Sequence, residues 1–255
     1  MRNIWSLMKK EIGAYFSSPI AYVVISGFLL LVGYFFYSLV SWFNAQAMQM
    51  AQNPYYAQHI NINEMVFSPL FHNMSIILIL VAPLLTMRLL AEEKKSGTDE
   101  LLYTSPLSVG QIILGKYFAA LVMLAAMLGL TALLSIFAFA FGNPEIAPWL
   151  TGYLGLFLMG ATFIAIGLFF SSLTDNQIVA AFLTFVTLLL LLVLNWVASS
   201  GSGTWQSVLS YLSLSQHFED MTRGILDTKD VVYYLSFSSF GLFLAHSVIQ
   251  SRRWR

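Results

Sequence analysis

The sequence has little charge and no cysteine. Only 9% of its 255 residues are Asp, Glu, Lys or Arg, whereas 58% are hydrophobic. Because soluble globular domains carry about 25% charged residues, this balance excludes that class and indicates an integral membrane protein. We expect one all-helical domain over residues 1–255. The absence of cysteine excludes disulfides and thiolate metal sites.

Signals for catalysis or nucleic-acid binding are also missing. The formal net charge is zero, which gives no indication of a nucleic-acid partner. The four histidines lie too far apart in sequence for a local metal-ligand spacing, and no catalytic motif or buried carboxylate pair is recognisable. Residues 110–116 match most of a phosphate-binding loop, but Tyr117 stands where a Ser or Thr should hold magnesium. We predict no enzyme activity in this chain.

Six apolar stretches are present instead, near residues 20–41, 68–90, 110–141, 149–173, 178–198 and 230–250. About 20 apolar residues cross a 30 Å hydrocarbon core, so each stretch predicts a transmembrane helix. No acid or base lies near the centre of a span, which argues against proton- or sodium-coupled transport. Residues 1–18 divide into an apolar and a basic face, a pattern typical of an interfacial helix lying against membrane lipid.

The distribution of Lys and Arg predicts the orientation. Ten of the 12 Lys and Arg residues fall on one side when alternate loops are compared, and only Arg223 and Lys229 fall on the other. Cytoplasmic loops carry the excess of positive charge. We therefore expect a multi-pass protein of the cytoplasmic (inner) membrane, with both termini and the loop between spans two and three on the cytoplasmic side.

Charge is concentrated in that loop, at residues 92–116. Ser96 with Asp99, and Ser108 with Gln111, have the spacing of a capping box, and Pro106 would end the helix between them. The pattern predicts a short amphipathic helix on the membrane surface, between two spanning helices. From the residues alone, this segment is either a solvated connector or the point at which another protein acts on the membrane part.

The motif Glu93-x-x-x-Gly97-Thr98-x-Glu100-x-Leu102-x-x-x-Pro106, followed by Ile113-x-Gly115-Lys116, resembles the signature of ABC-2 type permeases. These are membrane subunits of ATP-binding-cassette exporters. The resemblance implies that the loop is a cytoplasmic coupling helix docking on a separate ATPase subunit, which holds ATP and magnesium. It also implies a second permease subunit, identical or homologous. The residues implied in coupling are Glu93, Gly97, Thr98, Glu100, Leu102, Pro106 and Lys116.

A second region of resemblance covers residues 215–227, which are similar to the outer re-entrant helix before the last span in ABC-2 permeases. The residues concerned are His217, Phe218, Glu219, Arg223 and Gly224. In the family this helix caps the pathway at the outer leaflet; the alternative is an interfacial helix that only packs. The four-residue spacing predicts an ion pair between Arg223 and Glu219.

The fifth span lies near the dimer axis in the resembling family. Its polar residues Thr184, Thr187 and Asn195 are candidates for lining a pathway. Hydrogen bonding of the threonines within their own helix is the alternative. Small residues in the third span (Ala125, Ala126, Gly129, Ala132) and in the fourth predict faces where helices pack closely.

The expected function is therefore that of an ABC-2 type permease subunit that couples ATP hydrolysis in a partner to export. The chain length, the outer loop after span one and the Tyr- and Phe-rich first span resemble the gliding-motility-associated branch of these permeases. Two other interpretations stay open. One is a non-translocating subunit that passes ATPase work to an envelope partner, and the other is an ATP-independent channel or carrier.

Overall fold

The computed structural model describes residues 2–51, 61–98, 107–200 and 204–253, and these ranges are almost entirely helical. A π-helical turn, Asn63–Phe67, directly precedes the helix that begins at Ser68. In chain order the α-helices are α1 (Arg2–Ser17), α2 (Pro19–Ala51), α3 (Ser68–Thr86), α4 (Arg88–Lys95), α5 (Val109–Phe141), α6 (Ile146–Leu173), α7 (Gln177–Ser200), α8 (Thr204–Leu212), α9 (Leu214–Thr222) and α10 (Thr228–Arg253).

Within the described residues, six helical stretches are long and apolar enough to cross a membrane, which confirms the all-α, six-span prediction. They are Pro19–Gln49, Asn63–Lys95, Val109–Phe141, Ile146–Leu173, Gln177–Leu194 and Thr228–Ser251. The first span is longer than expected, because its helix, α2, continues to Ala51 instead of ending near residue 41. Residues 42–51 contain no Gly or Pro and include Ala, Gln and Met, so helix propensity extends α2 beyond its most apolar part.

The second span is interrupted between α3 and α4. Pro83 lies inside α3, and Met87 forms the turn between the two helices while its N–H donates to the Pro83 carbonyl over 2.9 Å. Just after Met87, the hydroxyl of Ser171 accepts hydrogen bonds from the N–H groups of Leu90 and Ala91. A side chain inserted into the backbone hydrogen-bond ladder is a known cause of a helix interruption.

Helix α6 is the centre of the fold and packs against α3, α5, α7, α9 and α10. Its glycines make this possible: a Cβ on Gly152 would lie 2.2 Å from the Phe71 ring, and one on Gly167 would lie 2.1 Å from Oγ1 of Thr86. The prediction of a packing face on the fourth span is therefore confirmed. On the third span Ala125 and Gly129 are exposed whereas Ala126 and Ala132 are half-buried, so the packing face expected there stays a prediction.

At the ends of α3 and α5 and the start of α6, five aromatic rings form a closed series of neighbours. Successive ring centroids are 5.1–6.4 Å apart, within the range of favourable aromatic pairs, and the rings are Phe67, Phe71, Tyr153, Trp149 and Phe139. This cluster joins three helices at the end of the bundle opposite to α1 and α4.

Replacing Gly167 with Ala is expected to lower the free energy of unfolding by about 1–3 kcal/mol, because the new methyl group would overlap Thr86. Gly129→Ala is the matched control, since a Cβ there meets nothing within 4 Å. That control should be neutral or slightly stabilising. Thermal unfolding of both variants in detergent measures the difference, and equal melting temperatures would contradict the packing role of Gly167.

Candidate functional site

A buried lysine lies at the end of the bundle where α1, α4 and α5 meet. Nζ of Lys116 is 2.9 Å from Oε1 of Glu11 and 2.7 Å from Oε1 of Glu93. The Lys116 side chain is 1% exposed, and the two glutamates are 13% and 18% exposed. One ammonium group therefore ties three chain segments together, and we call α1, α4 and the first two turns of α5 the Lys116 platform.

The close approach of α1 to α5 depends on Gly115. A Cβ at this position would lie 2.8 Å from Cδ2 of Leu7, which packs directly over the glycine. The N-terminus of α5 is fixed by Ser108 and Gln111, whose reciprocal side-chain and backbone hydrogen bonds form the predicted capping box. The Gly-Lys pair of the sequence motif thus has two structural roles: Gly115 admits α1, and Lys116 holds it.

The C-terminal end of α1 is anchored by two further contacts. The Tyr15 hydroxyl donates to the Leu85 carbonyl over 2.7 Å. Burial, with a smaller effect from the Glu11 carboxylate, raises the pKa of Tyr15, so the phenol keeps its proton for this bond. Arg88 donates to both Glu92 oxygens over 2.7 Å and to Ser18 Oγ over 3.1 Å, which links α4 to the turn between α1 and α2.

Helix α4 receives its N-terminal cap from another helix. Ser171 of α6 accepts hydrogen bonds from the N–H groups of Leu90 and Ala91, each over 3.1 Å, and its hydroxyl donates to the Met87 carbonyl. The residue at the N-cap position of α4 makes no side-chain bond of this kind. Ser171 therefore satisfies backbone groups that the helix itself leaves open, and it fastens α4 to the centre of the fold.

The C-terminus of α4 is a Schellman motif. Thr98 N–H donates to the Glu93 carbonyl over 2.9 Å, Gly97 N–H donates to the Lys94 carbonyl, and Gly97 has φ = 67°. The prediction that Ser96 begins a helix is wrong: Ser96 ends α4, and its hydroxyl donates to the Glu92 carbonyl. The predicted coupling residues Glu100, Leu102 and Pro106 lie outside the described residues.

At the opposite end of the bundle, α9 packs on α6. Phe218 and Met221 lie over Gly155, and the Thr151 hydroxyl donates to the Met221 carbonyl over 2.7 Å. The predicted ion pair is present, with Nη2 of Arg223 2.7 Å from Oε1 of Glu219 on an exposed surface. The helix ends there because Gly224 adopts φ = 91°.

His217 on α9 makes contacts that the sequence did not indicate. Its Nδ1 is 2.6 Å from Oδ1 of Asp230, and its Nε2 is 3.0 Å from the Tyr211 carbonyl. Its ring stacks on Tyr233 with centroids 4.0 Å apart. Asp230 is fully buried at the start of α10, so this pair joins α9 to the last span.

Of the three residues predicted to line a pathway, the structure describes the side chains of two, and the pathway role stays a prediction. Thr184 is buried and its hydroxyl donates to the Ala180 carbonyl over 2.7 Å, as the helical alternative predicted. Thr187 is half-buried on the same helix. Asn195 belongs to α7, but its side chain lies outside the described groups.

Sequence reasoning missed three members of these sites: Glu11, Ser171 and Asp230. A signal existed for the first, because Glu11 is the only acidic residue before Glu64. Sequence reasoning also did not foresee that two partly buried carboxylates, Glu11 and Glu93, converge on Lys116 from segments far apart in the chain. Ser171 carried no signal, because a serine that caps a distant helix looks like any other serine.

Lys116→Met is expected to lower the free energy of unfolding by about 3–5 kcal/mol, because it leaves two neighbouring carboxylates without their shared cation. Lys95→Met is the control: this lysine is exposed on α4, and its loss should change stability by less than about 0.5 kcal/mol. Thermal unfolding measures both variants. Equal stability of the two would show that Lys116 does not hold the platform.

Comparison with known proteins places the chain in a family. The model of the family described as "ABC-2 family transporter protein" matches residues 5–250. The protein described as "Probable multidrug ABC transporter permease YbhR" is 29% identical over 137 residues, both in Escherichia coli K12 and in E. coli O157:H7. Each match covers 53% of this chain but only 37% of the relative. The chain spans little more than a third of the length of these relatives. It is a multi-pass membrane protein, and it belongs to the ABC-2 family of transporter proteins.

Proposed function

We propose that this chain is the permease subunit of an ATP-driven exporter in the cytoplasmic membrane, and that a separate ATPase acts on it through the Lys116 platform and residues 99–106. The observation that carries the proposal is the junction at Lys116, 2.9 Å and 2.7 Å from carboxylates of α1 and α4. Residues 99–106 directly follow Thr98, so a partner bound to them pulls on α4 first. Glu93 and Lys116, which both belong to the sequence motif, therefore meet at the point where this force would reach the helix bundle.

The contacts of α4 supply a route for that force. Glu93 passes it through Lys116 to α1 and α5, and Ser171 passes it from the first turn of α4 to α6. Helix α6 in turn contacts α9 at the other end. ATP-driven movement of the partner shifts the equilibrium between two arrangements of these helices only if the partner binds the two arrangements unequally.

The partners follow from the same proposal. ATP and magnesium belong to the ATPase, and this chain contributes the docking surface. Helices α2 and α7 are the least buried of the six candidate spans, which supports a second permease subunit or membrane lipid beside them. The name of the relatives refers to several drugs, and we propose small organic compounds as the exported class. Both termini and the platform then lie in the cytoplasm, and residues 1–255 act as one transmembrane domain.

Glu100→Arg is expected to abolish co-purification of the partner ATPase, for which an ATPase encoded by a neighbouring gene is the candidate to test, because it reverses a charge in the segment proposed for docking. Glu145→Arg is the control, with the same change at an exposed position at the opposite end of the bundle. The measurement is a pull-down from mild detergent followed by detection of the ATPase. We expect wild type and Glu145→Arg to retain it equally.

The remaining outcomes separate the alternatives. Failure of wild type to retain any ATPase would favour an ATP-independent channel or carrier. Retention by Glu100→Arg would remove the docking role from residues 99–106. ATPase retention without ATP-dependent transport in reconstituted vesicles would favour a subunit that transmits work without translocating a substrate.

Orientation can be tested directly because the natural chain has no cysteine to remove. Single cysteines at Ser96 and at Asn143 occupy exposed positions at opposite ends of the bundle. In intact spheroplasts, a membrane-impermeant maleimide is expected to label Asn143→Cys and to spare Ser96→Cys until the membrane is broken. The reverse pattern would invert the proposed topology.

A further inference from the structure

We propose that a cavity beside the Lys116 platform binds an amphiphile with a cationic ammonium head group, supplied by the phospholipid of the adjoining leaflet. The cavity has a volume of about 600 Å³ and lies between α1, the start of α2, the junction of α3 and α4, and Lys116. This volume is typical of small-molecule sites, which range over about 300–1,000 Å³. The proposal concerns a ligand of the permease chain itself and does not depend on the docking of an ATPase.

The lining of the cavity is divided into a charged and an apolar part. The charged part comprises Lys10, Glu11, Arg88, Glu92, Glu93 and Lys116. The apolar part includes Ile20, Ala21, Val24, Leu84, Leu85 and Leu89. Such a wall suits a molecule with a polar head and an apolar chain, and it is too extended for a simple ion.

The pairing of the charges indicates the sign of the head group. Arg88 and Glu92 neutralise each other. Lys116 contacts one oxygen of Glu11 and one of Glu93, so two carboxylates share one ammonium. Lys10 supplies the balancing charge of the lining and acts electrostatically on Glu93, but it lies on the exposed side of α1. A primary ammonium group would give the two partly buried carboxylates a second cation, with three hydrogen-bond donors at short range.

The rest of the head group has a partner as well. Lys10 lines the cavity from the exposed side of α1, where its charge suits a phosphate. An ammonium against Glu11 and Glu93 with a phosphate near Lys10 is the charge pattern of phosphoethanolamine. Two apolar lining residues, Ile20 and Leu84, are 43% and 41% exposed on the spanning helices α2 and α3, so the cavity borders the lipid-facing surface.

The first test measures lipid binding to the purified, delipidated full chain by native mass spectrometry. Phosphatidylethanolamine, phosphatidylcholine and phosphatidylglycerol with the same acyl chains are compared. We expect phosphatidylethanolamine to bind about tenfold more tightly than the other two, because only its head group contains an ammonium group that donates hydrogen bonds to carboxylates. Equal binding of the three lipids would overturn the proposal.

Variants tie the binding to this cavity. Glu11→Gln removes one of the two carboxylates proposed to hold the ammonium group and should abolish the preference for phosphatidylethanolamine. Glu64→Gln, at an exposed acid that does not line the cavity, should bind like wild type. Ala14→Trp fills the cavity from an exposed lining position, and Gly13→Trp is its matched neighbour outside the lining. We expect loss of binding in Ala14→Trp alone.

Circular dichroism checks that each variant is folded. If Glu11→Gln does not fold, Ala14→Trp still tests the proposal. A competition arm identifies the source of the amphiphile. Decylamine should displace phosphatidylethanolamine, whereas decyl maltoside should not. Binding of decylamine without phosphatidylethanolamine would support the same site with a free cationic amphiphile as its ligand. If Ala14→Trp binds phosphatidylethanolamine as tightly as wild type, the proposal is overturned.

Discussion

The burial of Lys116 is the constraint on which the rest of the structure depends. Removing an ammonium group from water costs several kcal/mol unless carboxylates and hydrogen bonds replace its hydration. Here the replacements come from Glu11, 105 residues earlier, and Glu93, 23 residues earlier. The lysine can be buried only when α1 and α4 are both in place against α5, so one side chain decides the arrangement of the whole end of the bundle.

Helix α6 carries that arrangement across the molecule. Its glycines let neighbouring side chains approach the backbone, and its hydroxyl groups bond to elements at both ends: Ser171 to the first turn of α4, and Thr151 to the end of α9. Buried hydroxyl bonds of this kind are directional, so they fix the orientation of a contact that apolar packing alone leaves free. The two ends of the permease therefore share one rigid element.

The platform and the adjoining cavity join two kinds of chemistry in a small space. The exposed end of α4 presents the family motif, while the wall behind it combines paired charges with apolar surface. A head group held in that wall would lie beside Tyr15 and Arg88, which attach α1 to α4. Lipid binding and the proposed docking would then act on the same contacts from opposite sides.

The sequence by itself determined the class, the six spans, the capping box of α5 and the pair of Arg223 with Glu219, because hydropathy, capping and i,i+4 pairing depend on residues close in the chain. The family resemblance placed Glu93 and Lys116 in one motif, but it did not predict that the two side chains meet. Only the tertiary structure decided that Glu11 completes their site, that Ser171 caps α4 and that Asp230 meets His217. These contacts join segments whose mutual distance no local pattern encodes, and helix packing alone brings them within hydrogen-bonding range.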